Sequence, residues 1–236
     1  MTQTDPIAPP ARIVVFGATG KTGLEVLRQG KARGFTMVGV DVHKSDDVPD
    51  DCEQIVANVL EDDLTPALEG ASAVISCLGV GNSVGTLLDP PPLYSKGTGR
   101  IIEAMGKAGI ERIVVISATM VAADDRGPLL FRLGTTPALT RVLDEMADME
   151  RQLAESTLEW TAARPGWLLD KPATHDVVVS EGKIAEGLIR TRIADLAGVM
   201  LDCVENGTYA RGYPAPARKE ADEDEGNQAV LNSMMA

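Results

Sequence analysis

The sequence contains few aromatic side chains, few histidines and few cysteines. Of its 236 residues, 3% are aromatic, two are histidines and three are cysteines. So few aromatic rings argue against binding of single-stranded nucleic acid, which depends on base stacking. The cysteines Cys52, Cys77 and Cys203 are odd in number and far apart, which predicts neither a disulfide framework nor a zinc site. We therefore expect no bound metal.

Basic side chains are also scarce relative to acidic ones. The chain has 22 lysines and arginines against 35 aspartates and glutamates, for a formal net charge of −13. Because binding to phosphates requires a clustered basic face, we expect no nucleic-acid partner. No run of eighteen apolar residues occurs, and the first twelve residues lack the basic and apolar parts of an export signal. We expect a cytoplasmic protein without a membrane partner that acts on a small molecule; an oligomer is compatible with the sequence.

Short apolar segments alternate with amphipathic segments along the chain. Strands are predicted at 12–16, 35–40, 53–57, 71–78, 112–117 and 159–163, and helices at 22–33, 92–108 and 140–155. Continuous apolar strands that alternate with helices are typical of a parallel sheet covered on both faces. The sequence therefore predicts an α/β fold with a doubly wound parallel sheet. We expect residues 11–213 to form this fold as a single domain, with a small C-terminal region on the substrate side.

The two ends of the chain differ in composition from the middle. Residues 1–10 include three prolines, and residues 218–225 contain five acidic and two basic side chains. Such segments bury little apolar surface to offset the entropy lost on ordering. We therefore predict a disordered leader over residues 1–10 and a disordered acidic tail over residues 214–236. A tail that docks on a partner is the alternative.

A glycine-rich segment, GATGKTG, separates the first predicted strand from the first predicted helix. Glycines allow a sharp turn and a close approach of the backbone to a pyrophosphate, which the N–H groups at a helix N-terminus then bind. Its position on a strand-to-helix turn predicts a dinucleotide site, and a purely structural turn is the alternative. The residues assigned to the site are Gly17, Thr19, Gly20, Lys21, Thr22 and Gly23.

Together with an Arg-Pro-Gly turn at residues 164–166, this segment resembles the atypical short-chain dehydrogenase/reductases. The resemblance extends over residues 11–213 and is to the NAD(P)H-binding, NmrA-like branch, which includes biliverdin-IXβ reductase/flavin reductase. It implies a Rossmann fold that binds NAD(P)H. It also implies that Asp195 caps the last helix, and that further cofactor contacts come from Asn58, Val59, Cys77, Leu78, Gly79, Ser117, Pro165 and Gly166.

Asp41 ends the second predicted strand, 18 residues after Gly23. A carboxylate at this place accepts hydrogen bonds from an adenosine ribose and repels a 2′-phosphate. His43 and Lys44 follow closely and are within reach of a phosphate, and an Asp41 that only caps the loop is the alternative. The predicted cofactor is NAD(P)H, with a preference for NAD(H).

The tyrosine–lysine pair with which most short-chain reductases transfer a proton is missing. Counted from Glu150, its positions are occupied by Val142 and Met146. Ser117, at the end of the fifth predicted strand, is the candidate catalytic residue and is expected to donate a hydrogen bond to cofactor or substrate; a plain strand-end turn is the alternative. The residues assigned to the substrate pocket are Met120, Trp167 and His175. The alternatives are that Trp167 lies at the edge of the core and that His175 only pairs with Asp176 in a loop.

These observations predict an NAD(P)H-dependent oxidoreductase that reduces a flavin, biliverdin, a quinone or another small planar or carbonyl-containing substrate. The proton would come from solvent. A non-catalytic NAD(P)-sensing regulator of the NmrA type is the second hypothesis, favoured by the missing tyrosine. Sugar-nucleotide epimerase or dehydratase chemistry needs that tyrosine and is therefore the least favoured hypothesis. A G-x-S-x-G match at residues 81–85 suits a serine hydrolase poorly, because a proline-rich segment follows it.

Overall fold

Six parallel strands form the central sheet of the computed structural model, which describes residues 2–80, 91–122, 137–174, 176–226 and 229. The strands are β1 (Arg12–Phe16), β2 (Thr36–Asp41), β3 (Glu53–Val56), β4 (Ala73–Ser76), β5 (Arg112–Ile116) and β6 (Glu159–Ala163). Their order in the sheet is β3-β2-β1-β4-β5-β6. Because the order reverses between β1 and β4, the carboxyl ends of these strands border a crevice in which such sheets bind ligands. The predicted doubly wound α/β fold is confirmed.

Helices cover both faces of this sheet. They are α1 (Lys21–Ala32), α2 (Thr98–Ala108), α3 (Pro137–Glu155) and α4 (Ile193–Glu205). Apolar side chains of α1 and α4 pack on one face, and those of α2 and α3 pack on the other. Along β1, Val14 and Phe16 join the second group whereas Ile13 and Val15 join the first, so the strand is apolar throughout. Within the described ranges, no helix combines the length and apolar character needed to cross a membrane.

The segment predicted as one helix over residues 92–108 contains two kinds of helical turn. Leu93–Gly97 forms a single π-helical turn, after which α2 begins at Thr98. Gly109 follows α2 in the left-handed conformation, with φ of 70°. Glycine adopts this conformation at little cost, which explains why α2 ends where the sequence predicts.

Beyond β6 the chain forms two small sheets from the strands β7 (Trp167–Leu169), β8 (Val178–Glu181), β9 (Arg190–Arg192) and β10 (Pro214–Ala217). β7 pairs with β9, and β8 pairs with β10. All four residues of β10 are buried. The prediction of a disordered tail is therefore wrong for residues 214–226. Two prolines are compatible with β10 because a strand at a sheet edge leaves N–H positions that need no partner.

The acidic residues that follow β10 are held by arginines. Glu220 is 7% exposed, and its Oε1 accepts hydrogen bonds from Arg192 Nε and Arg218 Nη1, both at 2.7 Å. Its Oε2 accepts a third bond from Arg192 Nη2 at 2.8 Å. Arg218 also forms an ion pair with Asp176. These contacts order the segment that composition alone predicts to be disordered, because they supply the charge partners from distant parts of the chain.

Glu220→Gln is expected to make the protein less sensitive to acid unfolding. Hydrogen bonds from Arg192 and Arg218 lower the pKa of Glu220 from 4.5 to about 2. A carboxylate with a lowered pKa stabilises the folded state above its unfolded-state value, and this stabilisation is lost as the pH falls through the folded-state value. Between about pH 4.5 and pH 2 we expect wild type to lose about 1–3 kcal/mol more stability than the variant. Urea unfolding across this range measures the difference. Glu223→Gln, an exposed neighbour, is the control, and an equal effect of both substitutions would contradict the assignment.

The first residues of the chain pack against the end of α4. The N–H of Thr4 donates to the carbonyl of Gly207 at 2.8 Å, and the N–H of Ile7 donates to the carbonyl of Val204 at 3.3 Å. Ile7 also contacts the apolar cluster between the sheet and α4. The predicted disordered leader is therefore wrong for residues 2–10. The carbonyl groups at the helix end provide partners that composition does not reveal.

Candidate functional site

The glycine loop lies between the carboxyl end of β1 and the start of α1. Gly17 has φ of +72°, and a Cβ there would lie 2.5 Å from the carbonyl oxygen of Cys77, so the loop touches the exit of β4. A Cβ at Gly23 would overlap the carbonyl oxygen of Gly17. Packing within the protein therefore requires these two glycines.

Gly20 differs from the other two glycines of the loop. A Cβ there would have the Gly17 carbonyl oxygen as its neighbour at 3.5 Å, an ordinary contact. Gly20 is also the N-cap of α1, which has no side-chain cap and no acidic residue in its first turn. No side chain of the cap or the first turn therefore neutralises the positive potential of the helix N-terminus. Such a helix end, with a residue that leaves room beside it, is suited to binding a phosphate.

Lys21, the first residue of α1, links the loop to the segment after β7. Its Nζ lies 3.4 Å from Asp170 Oδ2. The same segment is anchored at Thr174, whose N–H and Oγ1 donate to the carboxylate of Asp195 at 2.8 and 2.9 Å. Asp195 is the third residue of α4, and Arg192 is its N-cap. The predicted capping role of Asp195 is therefore wrong, because its carboxylate holds Thr174.

Asp41 holds the glycine loop against the end of β2. Its Oδ2 accepts hydrogen bonds from the N–H of Thr19 at 2.9 Å and from Thr19 Oγ1 at 2.8 Å. Its Oδ1 accepts one from the N–H of Val42 at 2.8 Å. This is the loop-capping arrangement given above as the alternative, and it leaves a negative charge beside the loop. Ribose binding by Asp41 stays a prediction.

Asn58 and Val59 form the turn after β3. Asn58 Oδ1 accepts a hydrogen bond from the N–H of Leu60 at 3.0 Å, and the N–H of Asn58 donates to Asp62 at 2.7 Å. Val59 is buried, and its carbonyl accepts a bond from Arg100 Nε of α2 at 2.9 Å. The turn is therefore fixed both by its own hydrogen bonds and by α2.

Cys77, Leu78 and Gly79 leave β4 beside the glycine loop. Burial raises the pKa of the Cys77 thiol to about 12. The thiol is therefore protonated at neutral pH and is no nucleophile. A Cβ at Gly79 would lie 3.8 Å from Tyr94 Oη, and burial raises the pKa of this phenol too. The exit of β4 is thus bordered by uncharged groups.

Ser117, directly after β5, belongs to a buried polar cluster that the sequence analysis did not predict. Ser117 Oγ donates a hydrogen bond to Glu150 Oε1 of α3 at 2.6 Å. Arg164, directly after β6, donates from Nε to the same oxygen at 2.9 Å and from Nη2 to Glu150 Oε2 at 2.5 Å. Ser117 is 2% exposed, Glu150 5% and Arg164 9%. Glu150 takes the one hydroxyl proton of Ser117 in this geometry, and donation from Ser117 to a ligand stays an untested prediction.

Pro165 and Gly166 form the predicted turn after β6. The carbonyl of Pro165 accepts a hydrogen bond from the N–H of Thr119 at 2.9 Å, and the N–H of Gly166 donates to Thr191 Oγ1 at 2.8 Å. A Cβ at Gly166 would overlap the carbonyl oxygen of Ile189. The turn is therefore held at the carboxyl edge of the sheet by two residues, Thr119 after β5 and Thr191 within β9.

The two side chains that the resemblance assigns to the positions of a tyrosine–lysine pair are apolar and buried. Val142 is 9% exposed and Met146 is 8% exposed, and both pack in the apolar cluster under α3. Neither side chain can supply a proton. This face of α3 therefore contributes packing.

The residues assigned to the substrate pocket lie on separate elements. Met120 is half-buried in a 3₁₀ turn over Thr119–Val121, and Trp167 is half-buried on β7. His175 lies outside the described residues, as does most of the segment 121–137. Their assignment to one pocket stays a prediction.

The sequence did contain a signal for the buried cluster around Glu150. Glu150 lies among Met146, Met149 and Leu153 on the apolar face of α3. A charge at such a position needs a partner, because an unpaired buried charge is costly. The pattern along the helix does not reveal that the partner is Arg164, which belongs to another element.

Known proteins match this chain over the segment that contains the glycine loop. A family model described as NAD(P)H-binding matches residues 17–207. An uncharacterized chloroplastic protein of Arabidopsis thaliana is 29% identical over 198 residues, which cover 79% of this chain and 70% of that protein. The decarboxylating sterol-4-alpha-carboxylate 3-dehydrogenase of Mus musculus is 28% identical over 136 residues, 50% of this chain. The chain spans only 33% of that enzyme's length.

Solved structures share the fold. A candidate NAD-dependent epimerase/dehydratase of Bacillus halodurans superposes with a TM-score of 0.75 at 23% identity, covering 89% of this chain and 95% of that one. A candidate NADH-flavin reductase of Streptococcus pneumoniae superposes with a TM-score of 0.71 at 20% identity, covering 89% and 100%. Identities this low establish the common architecture and leave the substrate open.

Proposed function

This chain belongs to the NAD(P)H-binding family, and from that premise we propose that it is an NAD(P)H-dependent oxidoreductase. We propose as substrate a small planar or carbonyl-containing molecule such as a flavin, biliverdin or a quinone. The observation that carries the proposal is Gly20, which leaves room beside the uncapped N-terminus of α1. In sheets of this order a dinucleotide pyrophosphate binds at that place. The candidate NADH-flavin reductase of the same fold supports the choice of reaction class.

The residues around the crevice fit a dinucleotide. The first backbone N–H groups of α1 would bind the pyrophosphate, the turn at Asn58 and Val59 would border the adenine, and the turn at Pro165 and Gly166 would border the nicotinamide. A bound NAD(P)H would supply the hydride. The protein would fix the position of the cofactor, because the hydrogen bonds described above hold both turns in place.

We further propose that the cofactor is NAD(H) rather than NADP(H). Both side-chain and backbone donors of Thr19 are engaged by Asp41. Those donors would otherwise be free to bind a 2′-phosphate, and the Asp41 carboxylate would repel it. A ribose hydroxyl, in contrast, can donate to a carboxylate.

Asp41→Asn is expected to weaken the preference for NADH over NADPH. The substitution removes the charge and keeps an oxygen that can accept from Thr19, so the loop should remain in place. Wild type should bind NADH about tenfold more tightly than NADPH, and the variant should show a ratio of about three or less. Fluorescence titration with both nucleotides gives the ratio. Asp46→Asn changes the net charge equally at an exposed position and is the control. Equal or reversed affinities in wild type would contradict the role given to Asp41.

The absence of a tyrosine–lysine pair restricts the proposed reaction. Val142 and Met146 are buried and apolar, and the Ser117 proton is bound to Glu150. Val142, Met146 and Ser117 therefore offer no proton for transfer to a substrate. We therefore propose that the proton comes from solvent, which suits substrates whose reduced form is stable as an anion, such as flavins and quinones.

Hydride transfer to a panel of acceptors tests the reaction. Purified protein with NADH would be offered flavins, biliverdin and quinones, and loss of NADH absorbance would be followed. Reduction of at least one acceptor supports the proposal. The second candidate is a sensor of the NmrA type, favoured by the apolar residues at positions 142 and 146. Tight NADH binding without reduction of any acceptor would select the sensor.

A further inference from the structure

The hydroxyl of Ser117 has one proton and two acceptor positions, and the described residues use only the proton. Ser117 Oγ donates to Glu150 Oε1 at 2.6 Å. No residue in the described part of the chain donates a hydrogen bond to Ser117 Oγ. The oxygen lone pairs are therefore the part of this side chain that remains for another partner.

Glu150 is held so that it can only accept hydrogen bonds. Both of its oxygens receive bonds from Arg164, whose guanidinium has donors and no acceptor. Arg164 is fixed in turn: its Nη1 donates to the carbonyl of Gly182 at 2.9 Å, and its Cζ lies 3.8 Å from the centroid of the Tyr213 ring. The carboxylate therefore keeps the Ser117 proton directed toward α3.

Ser117 lies at the part of the crevice proposed to receive the nicotinamide. Its N–H donates to the carbonyl of Ala163 at 2.7 Å, which places it between the ends of β5 and β6. The turn at residues 164–166 follows directly. The backbone of residue 117 and this turn are therefore neighbours at the same edge of the sheet.

We propose that Ser117 is a hydrogen-bond acceptor for the ligand, and that Glu150 is the positioning residue that makes it one. The ligand group that meets Ser117 would then carry an N–H, as the carboxamide of nicotinamide or a planar heterocyclic substrate does. This inference rests on the proposed function. A carbonyl oxygen without an adjacent N–H would meet only lone pairs at this place and would be disfavoured.

The first arm of the test uses the cofactor. Affinities for NAD and for acetylpyridine adenine dinucleotide, in which a methyl ketone replaces the carboxamide, would be measured by calorimetry. We expect wild type to favour NAD by about tenfold, the value of one hydrogen bond, and Ser117→Ala to lose most of this preference. Ser95→Ala is the matched control, because Ser95 is another buried serine that donates to a glutamate of α3, Glu145. It should leave the preference unchanged.

The second arm uses the substrate. Binding of lumiflavin and of its N-methylated form, which lacks the ring N–H, would be compared in wild type and Ser117→Ala saturated with NAD. If Ser117→Ala loses the preference for NAD over the ketone analogue, the N–H that Ser117 accepts belongs to the carboxamide. If it loses the preference for lumiflavin over the N-methylated form, that N–H belongs to the substrate. If neither preference changes, including the case in which no flavin binds, the acceptor role is overturned. Wild type that binds no dinucleotide would instead contradict the proposed function, and this inference with it.

Glu150→Gln separates positioning from a structural role. A glutamine has one carbonyl oxygen for the three donors that Glu150 accepts, Ser117 Oγ and Arg164 Nε and Nη2, so the serine proton would be held less firmly and could turn toward the ligand. We expect the preference for NAD over the ketone analogue to disappear in this variant also. A lower melting temperature with an unchanged preference would show that Glu150 is only structural. Should Glu150→Gln fail to fold, Ser117→Ala still decides the acceptor role.

Discussion

Gly20→Val is expected to abolish dinucleotide binding while the fold is retained. A Cβ at position 20 meets no crowding from the protein, because its distance to the Gly17 carbonyl oxygen is an ordinary 3.5 Å. It would instead occupy the space proposed for the pyrophosphate at the N-terminus of α1. We expect NADH affinity to fall by about a hundredfold or more, and the melting temperature to change little. Fluorescence titration and circular dichroism measure the two effects.

Gly23→Val provides the matched control for this substitution. Its Cβ would overlap the Gly17 carbonyl oxygen and crowd the backbone of Ala18. This variant should therefore lose stability as well as binding. Retention of NADH binding by Gly20→Val would refute the assignment of the loop. A loss of fold in both variants would show that Gly20 also serves packing.

Glu150→Ala is expected to be the most destabilising single substitution of the polar cluster. It leaves the Arg164 guanidinium, 9% exposed, without its charged partner, and the Ser117 hydroxyl without an acceptor. Breaking a buried ion pair from one side costs about 3–5 kcal/mol. For a chain of this size that corresponds to a fall in melting temperature of about 10 °C.

Asp148→Ala is the control on the same helix. Asp148 pairs with Arg151 at the surface of α3, and such pairs contribute about 0.5 kcal/mol or less. The double variant Glu150→Leu/Arg164→Met should recover part of the stability, because it removes both charges together. Equal melting temperatures for wild type and Glu150→Ala would show that the pair carries no net stabilisation.

The central sheet could be predicted because five of its six strands, all except the edge strand β3, are buried on both faces. Residues of β1 pack alternately into two apolar clusters, so the strand has to be a continuous apolar run, and the sequence pattern shows it. The glycine loop was predictable for a related reason. Gly17 and Gly23 are required by contacts with their own neighbours in the chain and with β4.

The two ends were predicted wrongly because composition does not show tertiary partners. Glu220 is acidic and lies in a charged segment, yet Arg192 and Arg218 make it one of the buried residues. The leader likewise depends on carbonyls at the end of α4. Local sequence estimates the entropy cost of ordering a segment but not the contacts that offset it.

The candidate site was predicted as a set of positions and not as a set of contacts. Sequence placed Asp41 and Ser117 at strand ends, where the structure has them. Their partners, Thr19 and Glu150, decide what each side chain can still offer to a ligand. Those partners depend on side-chain direction across elements, which no periodicity encodes.

The position of β10 in the chain has a consequence for biosynthesis. All six strands of the central sheet lie before residue 164, whereas β8 pairs with residues 214–217. The N–H of Arg164 donates to the carbonyl of Pro214 at 2.7 Å, and that of Gly182 donates to the carbonyl of Tyr213. Because a ribosome releases the chain from its N-terminus, the glycine loop and sheet can form first. The turn at residues 164–166 gains its last supporting strand only after residue 217 has emerged, so a nascent chain would complete the glycine loop before it completes this turn.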